Sequence, residues 1–230
     1  MVKPIRVMVV DDHPVIADSL EAITRGTPDI LMVGVAFDVE SAIRTARHVR
    51  PTLVLLDVCL RDGANGLSLV RLLQAEDFSP QALIFTATDR NTYLDQALKL
   101  SVRGFLLKTA TIPELLDASR LIAGGGYAFS LDISNRLSFG MEGLTLKEAF
   151  RPRTACLATR EHEVLVQFAR GLAVKEIAAE MHLSRKTIDS YKARAMKKLG
   201  VHRSAELLRL CYEEGLTAAP LPPARLRGRA

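Results

Sequence analysis

The stretch Ile5-Arg6-Val7-Met8-Val9-Val10-Asp11-Asp12-His13-Pro14 decides the architecture. A mostly apolar, β-branched run passes straight into two carboxylates, and a proline follows at once. An apolar run of this length, bounded by polar groups, reads as a buried parallel strand whose C-terminal end is open to chemistry. Pro14 suits the first turn of a helix, where a missing N–H costs nothing. Three later runs repeat the pattern: TLVLL stops at Asp57, ALIF at Thr86 and GFLL at Lys108. In open α/β sheets, sites assemble at the C-terminal strand ends. Asp11, Asp12, Asp57, Thr86 and Lys108 are therefore expected to converge.

Working outward, strands are predicted at 5–10, 30–36, 52–56, 82–86 and 103–107, all rich in Val, Ile and Leu. Helical patterns lie between them at about 14–25, 39–48, 66–76, 91–100 and 112–123, with Asp38 and Thr111 as N-caps and Pro113 in a first turn. Five βα units predict an α/β domain over residues 1–124, a five-stranded doubly wound parallel sheet with helices on both faces. Gly124-Gly125-Gly126 stops the pattern, and residues 125–156 read as a linker with one short helix near 131–138. Residues 157–216 are purely helical in pattern: four short helices broken at Gly171, around Ser184 and near Gly200. Two short helices joined by a tight turn, the second basic and N-capped by Ser184, describe a helix-turn-helix. Residues 217–230, rich in Pro, Ala and Arg, read as a mobile tail.

Charge separates the two halves. Residues 1–124 carry 13 Lys+Arg against 15 Asp+Glu, whereas residues 157–230 carry 14 against 8. The basic excess belongs to the helical half, as expected if that half meets a polyanion. Cys59, Cys156 and Cys211 are scattered, with no metal-binding spacing, and read as reduced thiols in a cytoplasmic protein. The first apolar run is cut by Asp11-Asp12, so no signal peptide is expected. No run of about 18 apolar residues predicts a membrane span.

Carboxylates gathered at strand ends need positive charge among them. Mg²⁺ is the natural hard cation for such a pocket, with Asp12 and Asp57 as direct ligands and Asp11 acting through water. One carboxylate can attack phosphorus. The Lys108 ammonium and the Thr86 hydroxyl can then hold phosphoryl oxygens.

Here a resemblance adds detail. VMVVDDHPVIADSL (7–20), LVLLDVCL (53–60), LIFTA (83–87) and GFLLK (104–108) resemble the receiver domain of two-component response regulators, which has a flavodoxin-like sheet. TREHEVLVQFARGLAVKEIAAEMHLSRKTI (159–188) with KKLGV (197–201) resembles the LuxR-type helix-turn-helix domain of the FixJ/NarL class. The resemblance implies that Asp57 accepts phosphate from a sensor histidine kinase, and that Asp11, Asp12, Asp57 and the backbone carbonyl of Cys59 hold Mg²⁺. It implies that Thr86 and Phe105 shift on activation and that Lys108 contacts the phosphate. It further implies a transcription regulator that binds promoter DNA as a homodimer and is not a turnover enzyme. Thr109 stands where the family often has a proline, and the stretch RDGANGL (61–67) is one residue longer than the commonest form.

The third C-terminal helix, 185–199, carries Ile188, Ala195 and Leu199 towards the core. Arg185, Lys186, Asp189, Ser190, Lys192, Ala193 and Lys197 are left to outer or flanking faces. Lys186, Lys192, Lys197 and the more distant Lys175 read as phosphate contacts. Asp189 has two readings: an ion pair within its own helix, or an acceptor for a cytosine amino group. Two rival functions are weaker. A small-ligand sensor does not need Asp12, Asp57 and Lys108. A phosphohydrolase needs a second acid just beyond Asp57, and none follows.

Overall fold

The computed structural model describes residues 3–60, 65–140 and 143–216. The first unit is built on strands β1 (Ile5–Val10), β2 (Ile30–Ala36), β3 (Leu53–Leu56), β4 (Gln81–Thr86), β5 (Gly104–Leu107) and β6 (Ala128–Phe129), in the order β2-β1-β3-β4-β5-β6. Every pairing in it is parallel. Helices α1 (Pro14–Thr24), α2 (Val39–Val49), α3 (Leu67–Gln74), α4 (Asn91–Lys99) and α5 (Ile112–Ala123) connect the strands. Side chains alternate across a strand, so the continuous apolar runs serve two cores at once. Met8, Val10, Val54, Leu56, Ile84 and Phe105 face α2, α3 and α4, while Val7, Val9, Leu53, Leu55, Leu83 and Leu106 face α1 and α5. Asp38 caps α2 by accepting from Ser41 N at 2.8 Å. At α5 the Glu114 carboxylate accepts from Thr111 N (2.7 Å) and Oγ1 (2.8 Å).

The sheet has six strands, not the expected five, and the stretch read as a linker belongs largely to this unit. Residues 128–129 extend the sheet as β6, pairing Ala128 with Gly104 and Phe129 with Phe105. A four-residue helix, α6 (Leu131–Ser134), and an antiparallel hairpin of β7 (Leu137–Gly140) and β8 (Gly143–Leu146) follow. Ile133, Leu137 and Leu146 are buried in the same cluster as Phe105. These elements are two to four residues long and bury single side chains at irregular spacing. No periodicity can announce them.

The chain divides between Phe150 and Arg151. The second unit contains α7 (Thr159–Ala169), α8 (Val174–Glu180), α9 (Arg185–Leu199) and α10 (Ser204–Glu213). It begins before the expected residue 157. A short 3₁₀ turn at Arg153–Cys156 is fastened by the Glu214 carboxylate, which accepts from Arg153 N at 2.7 Å and from Thr154 N at 3.1 Å. Ser184 caps α9 by accepting from Thr187 N at 3.1 Å, and Gly200 ends α9 in the left-handed region at φ 65°, where a side chain would be strained. Leu207 and Cys211 of α10 are fully buried in the unit's own core. Burial pushes the Cys211 thiol up to about 12. Cys59 and Cys156 are exposed. The expected tail, 217–230, and residues 61–64 of the RDGANGL stretch lie outside the described residues.

Candidate functional site: an acidic strand-end pocket and a basic helix

The sheet's hydrogen bonds continue one step past the strand ends and so fix the pocket. Asp11 N donates to Ala36 O (3.1 Å), Asp57 N to Val10 O (2.9 Å) and Lys108 N to Thr86 O (2.8 Å). Four polar residues that begin far apart in sequence are thereby set side by side. Asp11 and Asp57 are 2% and 4% exposed, so their charges need partners. Lys108 Nζ lies 2.5 Å from Asp57 Oδ2 and 2.7 Å from Asp11 Oδ2. Asp57 Oδ1 accepts from the Thr86 hydroxyl at 2.7 Å and from Cys59 N at 3.1 Å. Burial opposes charge on Lys108, but its two carboxylate partners outweigh that and hold the ammonium above the usual lysine range.

Asp12 joins through His13, whose Nδ1 lies 2.9 Å from Asp12 Oδ1 and 3.1 Å from Asp11 Oδ1. Ligand atoms of Asp11, Asp12, His13 and Asp57 all fall within 4.8 Å of one another. Three carboxylates so placed form an oxygen-rich donor set of the kind a hard divalent cation takes. Of the expected site residues, Asp11, Asp12, Asp57, Thr86 and Lys108 are brought together, with the Cys59 backbone beside them. Phe105 is fully buried on β5, apart from the carboxylates, in the cluster that faces α2, α3 and α4.

On α9, Ile188, Ala195 and Leu199 are buried. Diametrically opposite, at 100° per residue, stand Lys186, Ser190, Ala193 and Lys197, all exposed, with Arg185 and Asp189 exposed to one side. Lys175 is exposed on α8. Lys192 does not share the outer face. Its ammonium sits 3.9 Å from the centroid of the Phe168 ring and 3.0 Å from Ser204 Oγ, so it is committed to its own unit. Tyr191 packs against the core, with the Arg194 guanidinium 4.7 Å from its ring centroid.

Known proteins share both halves. The family described as response regulator receiver domain matches residues 7–120, and the bacterial regulatory proteins of the luxR family match residues 155–211. Fimbriae Z protein of Salmonella typhimurium is 30% identical over 206 residues, covering 90% of this chain and 95% of its own. The chain is a LuxR-type response regulator. The transcriptional regulatory protein UhpA of Escherichia coli is likewise 30% identical to the regulator, covering 91% of this chain and 98% of its own. Among solved structures, Salmonella typhimurium RcsB is similar, with a TM-score of 0.63, 25% identity and coverage of 94% and 99%. Another RcsB structure, bound to the rprA promoter with a phosphate mimic, has a TM-score of 0.55 at 25% identity, covering 90% of this chain and 97% of that one.

Two residues of the regulator escaped the sequence reading. Gly66 N donates to Val58 O at 2.8 Å, closing the loop after Asp57, and a Cβ at Gly66 would stand 2.1 Å from the Asp57 carbonyl oxygen. Its one signal in the sequence is an Asn-Gly pair. Glu161, 4% exposed, accepts from Lys198 Nζ at 2.7 Å and from Ala158 N at 2.9 Å. The Lys198 bond, helped by the Ala158 amide and opposed by burial, holds this carboxyl below the usual range. A depressed carboxyl adds stability above its unfolded pKa, near 4.3, and that stability is lost as pH falls through the lower folded value. Glu161→Gln should therefore cost the second unit about 2 kcal/mol at pH 7, with the gap closing in acid. Urea titrations at pH 7 and pH 3 test this, and equal stability at pH 7 would remove the role.

Proposed function

We propose that the regulator accepts a phosphoryl group on Asp57 from a partner histidine kinase in the cytoplasm and, as a homodimer, controls transcription by binding promoter DNA through α9. The observation that carries the first part is the grip on Asp57: an ammonium at one oxygen, a hydroxyl and an amide at the other. A carboxylate held from both sides is oriented for in-line attack. An Asp57 oxygen attacks phosphorus, the P–N bond to the kinase histidine breaks, and the leaving imidazole takes up a proton. Asp11, Asp12, Asp57 and the Cys59 carbonyl would hold Mg²⁺, which when bound neutralises charge on the phosphoryl oxygens. Lys108 and the Thr86 hydroxyl then turn from the bare carboxylate to the phosphoryl oxygens. A receiver match joined to a LuxR-type match favours a switch over a turnover enzyme. With a small phosphodonor and Mg²⁺, the wild type should gain one acid-labile, base-labile phosphate and Asp57→Asn none. Labelling of Asp57→Asn to the wild-type extent would assign the acceptor elsewhere.

For DNA, Lys186 and Lys197 supply phosphate contacts at the two ends of the outer face of α9, with Arg185 and Lys175 beside it. Asp189, Ser190 and Ala193 are the short side chains placed to meet base edges between them. The promoter complex of RcsB supports this reading. A two-fold pair of such helices would read two half-sites. Each phosphate contact steepens the dependence of log K on log salt by about 0.9. The double variant Lys186→Ala/Lys197→Ala, which removes two contacts from each protomer, should thus flatten the slope for the dimer by about 4. Lys192→Ala, whose charge is spent on Phe168 and Ser204, should leave it unchanged. A slope change for Lys192→Ala equal to that of the double variant would refute the assignment of faces.

A further inference from the structure

The segment that follows α5 touches the chain beside both residues that grip Asp57. Arg136, with its side chain 18% exposed, donates from Nη1 to Asp89 O at 2.5 Å and from Nη2 to Asp89 Oδ2 at 2.5 Å. Asp89 lies three residues beyond Thr86. Ser130 Oγ accepts from Leu107 N at 3.0 Å, and Leu107 immediately precedes Lys108. Between these anchors, Ser130 N donates to Phe105 O at 3.1 Å, and Ile133 is buried in the cluster that holds Phe105, Leu94 and Ala97. The hairpin closes the segment, with Lys147 N donating to Arg136 O at 2.9 Å.

We propose that residues 126–140, together with β8, form a strap fitted to the unphosphorylated receiver and loosened when Asp57 takes a phosphoryl group. The proposal rests on the phosphoacceptor reading of Asp57. Thr86 and Lys108 now bond the bare carboxylate. Once one carboxylate oxygen carries phosphorus, both must reach further out, carrying the β4–α4 loop and the end of β5 with them. The strap holds each of those backbones within three residues of the moving group, and a close ion pair does not stretch. Its elements are two to four residues long and each buries few side chains in the core, so they belong to the part of the fold that opens at least cost. Coupling is reciprocal. If phosphoryl capture loosens the strap, loosening the strap must favour phosphoryl capture.

The test uses the full chain with Mg²⁺ and beryllofluoride, a phosphoryl mimic, bound protein being followed by its fluorine NMR signal. Amide exchange at Ser130 and Lys147 should speed up by on the order of fivefold or more on binding. Asp89→Asn, which keeps the backbone acceptor, and Arg136→Gln should each bind beryllofluoride about fivefold more tightly than wild type. Asp89→Asn alone decides if Arg136→Gln fails to fold. Beryllofluoride binding with unchanged or slower exchange in the strap, or with wild-type affinity in Asp89→Asn, overturns the strap and leaves the Asp57 reading intact. Absence of a bound signal in the wild type overturns the Asp57 reading itself, and the strap with it.

Discussion

Replacing Gly66 with alanine should destabilise the receiver by about 3 kcal/mol and cripple phosphoryl acceptance at Asp57. The added Cβ would lie 2.1 Å from the Asp57 carbonyl oxygen and 3.1 Å from its carbonyl carbon. Neither atom can retreat freely. Asp57 N is bonded to Val10 O, and Gly66 N is bonded to Val58 O. The clash must therefore be relieved by rotating the Asp57 peptide or by pushing α3 away from β3, and the first of these re-aims the carboxylate itself. Gly104→Ala is the matched control. Its Cβ would meet the methyl ends of Ile122 (2.2 Å) and Leu83 (2.5 Å), which can turn aside, so it should cost less and spare the pocket. Urea unfolding and phosphodonor labelling of both variants settle the matter. Equal stability losses with labelling intact in Gly66→Ala would show that the approach to Asp57 is not rigid.

Lys108→Met should cost more still, about 4 kcal/mol in the absence of Mg²⁺. Methionine fills the space of the stem but leaves the buried Asp11 and Asp57 carboxylates without the ammonium that bridges them. Added Mg²⁺ should then stabilise the variant more than the wild type, because the cation replaces a missing charge rather than competing with a present one. The pH dependence follows from the raised folded pKa of Lys108. A raised group contributes its full stability below its unfolded pKa, about 10.4, and loses it as pH rises through the folded value. The gap between wild type and variant should hold steady from about pH 7 to pH 10 and narrow only beyond that. Denaturant titrations across this range, with and without Mg²⁺, provide the check. A gap that closes by pH 9 would mean that Lys108 is not held by its carboxylates.

The central sheet was legible because a strand buried on both faces needs unbroken apolar residues, and VMVV, LVLL and GFLL supply them. The pocket was legible for a related reason: Asp11, Asp57, Thr86 and Lys108 each break such a run at its open end. What lay hidden depends on single contacts between distant residues. Glu161 showed no partner because Lys198 stands 37 positions away. Lys192 looked like any other basic residue of α9, since only the packing of α7 brings Phe168 beneath it. Gly66 carries no side chain, so a close backbone approach is the whole of its role. The strap escaped notice because Ile133, Leu137 and Leu146 obey no helical or strand period.

The three thiols divide into two that meet solvent and one that does not, and the buried Cys211 is further silenced by a pKa pushed up to about 12. A maleimide at neutral pH should therefore choose Cys59 and Cys156 and pass over Cys211. One chosen site lies two residues from Asp57 and the other at the start of the helical unit. The natural sequence thus already carries one labelling handle on each unit. A donor–acceptor dye pair placed there would act as a molecular ruler, reporting the distance between the two units with and without a phosphodonor, with no engineered cysteine.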